Sequence, residues 1–201
     1  MKKILFIATI IIMASTAFAQ ERNIYLGISG IQVGGSGPIL GTGVFYHKYN
    51  EDSETTFGLA PEIGYFISDK FAIGMSIGFN YSIAKYEDWN ADISDYERKS
   101  ENATGWGIGT YVRYYAIKTE RFGLYLQGGL SFISTKYEYN TKAENFFYAG
   151  IKPCVSYNIS DRFTIHAAFG DLGYYDYNST TTYFRLSLDA ATLLFGLTIA
   201  L

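Results

Sequence analysis

The stretch from Phe71 to Ala84 alternates strictly between bulky apolar residues and small, uncharged ones. Its odd positions carry only Phe, Ile, Met and Tyr, and its even positions carry only Ala, Gly, Ser and Asn. A period of two is the side-chain period of a β-strand. Because the thin face has no charge to offer to water, the pattern predicts a strand whose bulky face meets lipid. The thin face then lines a narrow lumen, which we expect glycine, alanine and serine to fill.

Residues 1–19 have the composition of an export signal. Two lysines are followed by an apolar run too short to span a bilayer as a helix, and Ala17 and Ala19 provide a cleavage site before Gln20. An N-terminal anchor or a buried helix is the alternative, but no stop-transfer pattern follows. We therefore expect a cleaved signal peptide over 1–19 and one β-barrel domain over 20–201.

The remaining chain is rich in aromatic residues and glycine, with 19 Tyr, 15 Phe and 21 Gly in the whole sequence. After the signal, no stretch of 18 uninterrupted apolar residues could form a membrane helix. A closed barrel is the other structure that satisfies its backbone in lipid. A soluble lipocalin-type barrel is the rival fold, but it would need a polar outer face, which the strand from Phe71 lacks.

An internal repeat supports a barrel of hairpins. The segment from Ala60 to Phe71 recurs from Lys152 to Phe163, and a looser copy from Thr110 to Phe122 has one extra residue in its turn. Each copy is a strand, a short polar turn and a strand, which predicts three tight turns on one side of a sheet.

The complete pattern predicts an all-β, eight-stranded, antiparallel up-and-down transmembrane barrel. Short turns on one side and long loops on the other are typical of outer-membrane barrels, in which the short turns are periplasmic. The predicted strands span 23–33, 56–67, 71–86, 104–115, 122–138, 146–159, 163–174 and 191–201. The predicted long loops span 34–55, 87–103, 139–145 and 175–190.

Aromatic residues flank the three short turns and predict a periplasmic girdle. Tyr81 and Phe132 lie ten residues beyond two of its members, roughly 33 Å along the strand. A tilt of about 40° reduces this to roughly 25 Å of height, the expected thickness of the lipid-facing band. The predicted girdle comprises Tyr65, Phe71, Tyr114, Phe122, Tyr157 and Phe163.

The last predicted strand alternates up to Leu201, whereas Phe184, Leu186 and Leu188 have the opposite parity. This change of phase predicts a bulge or break near Asp189.

With these features the chain resembles the small eight-stranded outer-membrane β-barrel proteins, the family of OmpX-like and opacity-type barrels. The resemblance rests on the export signal, the Arg113–Tyr115 motif RYY, the SDKF and SDRF turns, and a terminal strand that reaches the C-terminus. It implies an integral outer-membrane protein that the barrel-assembly machinery inserts. The chain ends in Leu201, where the family usually has an aromatic residue that this machinery reads.

The sequence offers little for catalysis. His47 and His166 are far apart and have no second ligand at metal spacing, and no hydrolase, metalloprotease, Walker or dinucleotide motif occurs in its required context. Cys154, the one cysteine, lies on a thin face and reads as a small packed residue. Without the two signal lysines the chain has 14 basic and 19 acidic residues, which argues against nucleic acid as a partner. We expect no cofactor and no metal.

Four charged or titratable residues fall on predicted inward faces. A barrel of eight strands has an interior just wide enough for its own side chains, and buried charges need partners. We therefore expect a polar network that plugs the lumen, formed by Glu62, Arg113, Lys152 and His166. The alternative is a narrow polar path for protons, ions or small solutes.

The long loops provide candidate contacts through Tyr46, Trp89 and Tyr96. They are either solvated surface or a site for a host surface, a polysaccharide or a partner protein. Three functions therefore stay open. The first is a monomeric, non-enzymatic barrel in outer-membrane lipid with a structural or surface-interaction role. The second is a small pore or transport barrel, and the third is a lipid-modifying outer-membrane enzyme.

Overall fold

The computed structural model describes residues 23–32, 43–49, 52–90, 95–138, 142–178, 181–188 and 193–201. No helix in these ranges is long and apolar enough to cross a membrane. The described residues form a sheet of twelve strands. The strands are β1 (Ile24–Gln32), β2 (Gly43–Tyr49), β3 (Asp52–Leu59), β4 (Pro61–Phe66), β5 (Phe71–Asn90), β6 (Asp95–Lys118), β7 (Phe122–Tyr137), β8 (Glu144–Asn158), β9 (Phe163–Ala168), β10 (Asp171–Tyr177), β11 (Thr181–Ser187) and β12 (Leu194–Ala200).

Eight of these strands close into a ring in the order β1, β4, β5, β6, β7, β8, β9 and β12. The β1–β12 ladder and the β8–β9 ladder are both antiparallel and complete the circle. The predicted all-β, eight-stranded, up-and-down barrel is therefore confirmed. Closure leaves the ring without a strand edge, so its backbone can be satisfied within lipid.

The bulky residues of β5 point out of the barrel. Ile73, Ile77 and Phe79 are 43%, 44% and 58% exposed, whereas Ala72 and Ser76 on the alternate positions are buried. A soluble barrel would show the reverse. The predicted orientation, with the bulky face outside, is confirmed.

The three short turns lie at one end of the barrel, which we name the turn end. In the first, the Ile67 amide donates to the Phe71 carbonyl at 2.9 Å, and in its repeat Ile159 donates to Phe163 at 2.9 Å. In the looser copy a register shift between Tyr115 and Ile117 places the extra residue in a β-bulge. The sequence repeat is thus a repeat of turn structure.

At the opposite end, which we name the arm end, the predicted loops 34–55, 87–103 and 175–190 are wrong in the parts that the structure describes, because these parts form strands. Strands β5 and β6 stay paired up to Asn90 and Asp95. Two further hairpins occupy the other two segments, β2 with β3 and β10 with β11. Apolar alternation ends where both faces of a strand meet water, but the backbone ladder continues, so the periodicity underestimates strand length.

Two predicted strands are interrupted. The strand 56–67 breaks at Ala60 into β3 and β4, and 163–174 breaks into β9 and β10. Gly170 in the second break has a φ of 71°, in the left-handed region that favours glycine. The segment from Phe184 to Leu188 lies outside β12, and its first four residues belong to the separate strand β11, as the change of parity requires. The predicted break at Asp189 lies outside the described residues, as does the predicted signal peptide.

Candidate functional site

The lumen is filled mainly by tyrosine rings, which lie over glycines of neighbouring strands. A Cβ on Gly64 would collide with the Tyr25 ring, and one on Gly74 would collide with the Tyr111 hydroxyl. The expectation that glycine, alanine and serine fill the inside is therefore incomplete, because they make room for larger side chains from other strands. The buried tyrosines are Tyr25, Tyr111, Tyr115, Tyr125, Tyr148 and Tyr175. Parity could have found Tyr115, which shares a face with Arg113.

Arg113 is the central charge of this interior. Its Nη2 donates to Glu62 Oε1 at 2.9 Å, and its Nε donates to Gln127 Oε1 at 2.8 Å. The guanidinium also lies 4.4 Å from the centre of the Tyr111 ring. Both members of the ion pair are almost fully buried, so the carboxylate and the aromatic rings replace water around the cation. Two of the four predicted network residues are thus in direct contact.

His166 belongs to a neighbouring cluster. Its Nδ1 is hydrogen bonded to the Tyr125 hydroxyl at 2.9 Å and its Nε2 to Thr198 Oγ1 at 2.8 Å. The Tyr125 ring lies 5.6 Å from the Arg113 guanidinium. His166 therefore connects to the ion pair only through an aromatic ring, and both of its nitrogens are occupied by protein groups.

Lys152 lies apart from both clusters, with its ammonium 5.0 Å from the centre of the Tyr148 ring. A second ion pair, which the sequence analysis missed, lies closer to the arm end. Arg185 Nη2 donates to Asp171 Oδ1 at 3.0 Å and to the Tyr175 hydroxyl at 2.8 Å. Tyr175 in turn donates to Asp171 Oδ2. Asp171 and Arg185 were missed because they fell at the end of a predicted strand and in a predicted loop.

Two cavities lie inside the barrel. One, of about 420 Å³, is lined by the residues of the turn end, and the other, of about 120 Å³, lies in the middle of the lumen. Arg113 and His166 line both cavities. The layer of side chains that contains them lies between the two spaces.

A comparison with models of known protein families agrees with this architecture. The family model described as "Outer membrane protein beta-barrel domain" matches residues 4–198. This chain belongs to that family. It is an outer-membrane barrel protein, and its apolar outer face is the surface that such a protein presents to lipid.

Among solved structures, the transport unit of the autotransporter AIDA-I from Escherichia coli is similar, at 14% identity and a TM-score of 0.30. The match covers 94% of this chain and 81% of that one. No curated protein matches the chain.

The six predicted girdle residues of this outer-membrane barrel all lie exposed on its outer face near the turn end. Phe71 and Tyr114 are cross-strand partners with ring centres 5.0 Å apart, and Phe122 is the partner of Tyr157. Nearer the arm end, Trp106 and Phe132 pair at 6.0 Å. Aromatic rings therefore occur at two heights on the lipid-facing surface, as interfacial belts do.

The predicted loop contacts lie on the hairpins at the arm end. We call these hairpins the arms: β2 with β3, the distal parts of β5 and β6, and β10 with β11. Tyr46 is in β2, and Trp89 in β5 is the register partner of Tyr96 in β6. The side chains of these three residues lie outside the described part of the structure. Within the described part, no group of three His, Cys, Asp or Glu residues could hold a metal ion, and Cys154 is buried.

Proposed function

We propose that this protein is a closed, non-catalytic outer-membrane barrel with a structural or surface-interaction role. The observation that carries the proposal is the layer of Arg113, Tyr125 and His166 between the two lumen cavities. Its side chains are buried and held by one another, by Glu62 and by Thr198. A solute would have to break this layer in order to pass.

The energetics support a permanent closure. Separating a buried ion pair leaves an uncompensated charge, which costs about 3–5 kcal/mol. Gln127 and three tyrosine rings also hold the guanidinium. Thermal motion therefore opens the layer rarely.

The arms are the surface through which such a barrel interacts. Beyond the level of Trp106 and Phe132, strand β5 continues from Tyr81 to Asn90. At about 3.3 Å per residue this is roughly 30 Å. Residues 97–100 of its partner strand are exposed and mostly charged. An extracellular ligand, a polysaccharide or a host surface would meet this arm first. The same proposal includes export through cleavage of residues 1–19, insertion by the barrel-assembly machinery and a monomer in lipid.

Conductance in a planar bilayer tests the closed lumen. The native protein should give no reproducible current steps, whereas Arg113→Ala, which removes the layer's central side chain, should give them. Lys118→Ala is the matched control, because it removes a cation at the turn end outside the layer, and it should stay silent. Steps from the native protein would contradict the proposal and favour the narrow pore, the alternative that the cavities on both sides of the layer support.

Shortening the β5–β6 arm tests the surface role. Glu87 pairs with Arg98 and Asp88 with Glu97, so deleting all four keeps the register and the hairpin end. Adhesion of cells to immobilised polysaccharide or host matrix should fall, while the heat-dependent gel shift of the barrel stays native. Unchanged adhesion would leave the arm as solvated surface only.

A further inference from the structure

Four polar side chains form a row across neighbouring strands inside the barrel. Arg113 of β6 is the register partner of Gln127 of β7, and Gln127 is the partner of Lys152 of β8. The β8–β10 register places Asp171 next, directly after the pair of Leu172 with Ile151. Side chains at one register position of adjacent strands are close neighbours.

Both ends of the row are neutralised by residues outside it. Arg113 is paired with Glu62. Asp171 accepts from Arg185 through Oδ1 and from Tyr175 through Oδ2, so each of its carboxylate oxygens already accepts a hydrogen bond from another residue. The carboxylate nearest to Lys152 in register therefore serves another cation.

Lys152 is left without an ion pair of its own. Among the described residues, its ammonium has neither a hydrogen bond nor an ion pair, and its contact is the Tyr148 ring. The neighbouring Gln127 uses its carbonyl oxygen to accept from Arg113, so its amide NH₂ is the group available to the lumen. The buried Tyr148 hydroxyl also has no protein partner in the described part of the chain. The groups without a protein partner around this point are hydrogen-bond donors.

These donors belong to one space. Lys152, Gln127 and Tyr148 line the mid-lumen cavity of about 120 Å³, together with Ser76 and Ser131. Glu62 lines it as well, but as the partner of Arg113. Among the described residues of the row and its ion partners, three cations face two carboxylates, which leaves one positive charge. An isolated charge inside a protein is strongly unfavourable unless a counter-charge accompanies it.

We propose that the mid-lumen cavity is a binding site for a small monovalent inorganic anion of the halide class, held by Lys152 Nζ and the Gln127 amide. One anion balances the single excess charge. A halide is of similar size to a water molecule, whose share of liquid volume is about 30 Å³, so the cavity accommodates it with remaining hydration. A bulky organic anion such as gluconate fits this space far less well than a halide.

Halide-dependent stability tests the site in the full-length protein in detergent. The midpoint of the heat-dependent gel shift is measured in sodium chloride, sodium bromide and sodium gluconate at equal ionic strength. Binding to the folded state alone should raise the midpoint in halide by about 3–6 °C at tenfold saturation. Lys152→Met should abolish the difference, and Lys118→Met, at the turn end, should retain it.

A second variant keeps the test decisive if Lys152→Met does not fold. Gln127→Glu places a carboxylate beside Lys152 and still accepts from Arg113, so it supplies the counter-charge internally and should remove the halide dependence. Crystals of the native protein grown in bromide should show an anomalous peak within hydrogen-bond distance of Lys152 Nζ. Equal midpoints in halide and gluconate, equal halide dependence in Lys152→Met, or a bromide-free cavity would overturn the proposal. None of these results depends on whether the barrel conducts.

Discussion

The two ion pairs of the lumen have similar lengths but different surroundings. Arg113 and Glu62 lie 2.9 Å apart within the closed ring, and their side chains are 4% and 3% exposed. Arg185 and Asp171 lie 3.0 Å apart, but Arg185 is 43% exposed. Strand β11, which carries Arg185, ends the described sheet and pairs only with β10 there. The Asp171 side chain is 4% exposed, close to the value for Glu62. Ring closure therefore determines how completely the arginine of a pair, and not its carboxylate, is removed from water.

This difference has an energetic consequence. A buried charge that loses its partner is strongly destabilising, whereas an ion pair that reaches solvent is worth about 1 kcal/mol or less. The outer side chains of β11 and of Leu188, which follows it, show the same exposure to solvent, since Phe184, Leu186 and Leu188 are the most exposed large apolar residues of the described chain. Equivalent substitutions in the closed ring and in the β10–β11 hairpin should therefore change the free energy of unfolding by different amounts.

The largest effect is expected for Arg113→Met. It leaves Glu62 charged and buried, and should lower the free energy of unfolding by about 3–5 kcal/mol. Urea-induced unfolding in detergent, followed by tryptophan fluorescence, measures the change. The double variant Glu62→Gln with Arg113→Met should recover much of the loss, because no charge then remains unpaired. A single variant as stable as the native protein would show that water reaches the ring interior.

An intermediate effect is expected for Gly74, which lies beside the Tyr111 ring near the Arg113–Glu62 pair. A Cβ on Gly74 would meet the Tyr111 ring and lie 2.7 Å from the Ile63 carbonyl oxygen. Gly74→Ala should therefore cost about 1–3 kcal/mol through overpacking. Gly173→Ala is the matched variant beside the Arg185–Asp171 pair. The atoms nearest to its Cβ would be ring-edge carbons of Tyr148 and Tyr175 and an oxygen of the Asp171 carboxylate. The same unfolding assay should show the smaller loss for Gly173→Ala, and equal losses would remove the distinction between the two regions.

The smallest effect is expected for Arg185→Ala, which should cost about 1 kcal/mol or less, because the guanidinium is 43% exposed and Lys152, next to the buried Asp171 in register, remains as a cation for that carboxylate. Tyr175 still donates to the Asp171 carboxylate in this variant. The loss should shrink further as the salt concentration rises, since solvent-exposed charge pairs are screened. A cost comparable to that of Arg113→Met would show that the Arg185–Asp171 pair is as well shielded from water as the Arg113–Glu62 pair.

Much of the ring was predictable from the residues, because a strand between lipid and a crowded lumen must alternate. Ile73, Ile77 and Phe79 follow that rule, and so do the turn repeats around Tyr65 and Tyr157. The hairpin arms were not predictable in the same way. Residues 97–100 of β6 are exposed on both faces, so no apolar period marks where the strand ends.

For the candidate site too, the sequence determines one property of its residues and the tertiary structure determines another. The sequence by itself determined that Glu62, Arg113, Lys152 and His166 face inward, because side-chain direction follows from position in a strand. Only the tertiary structure decided that Arg113 meets Glu62, that His166 bonds to Tyr125 and Thr198, and that Asp171 belongs to Arg185 and not to Lys152. Such contacts join strands distant in the chain, and barrel closure and register set them.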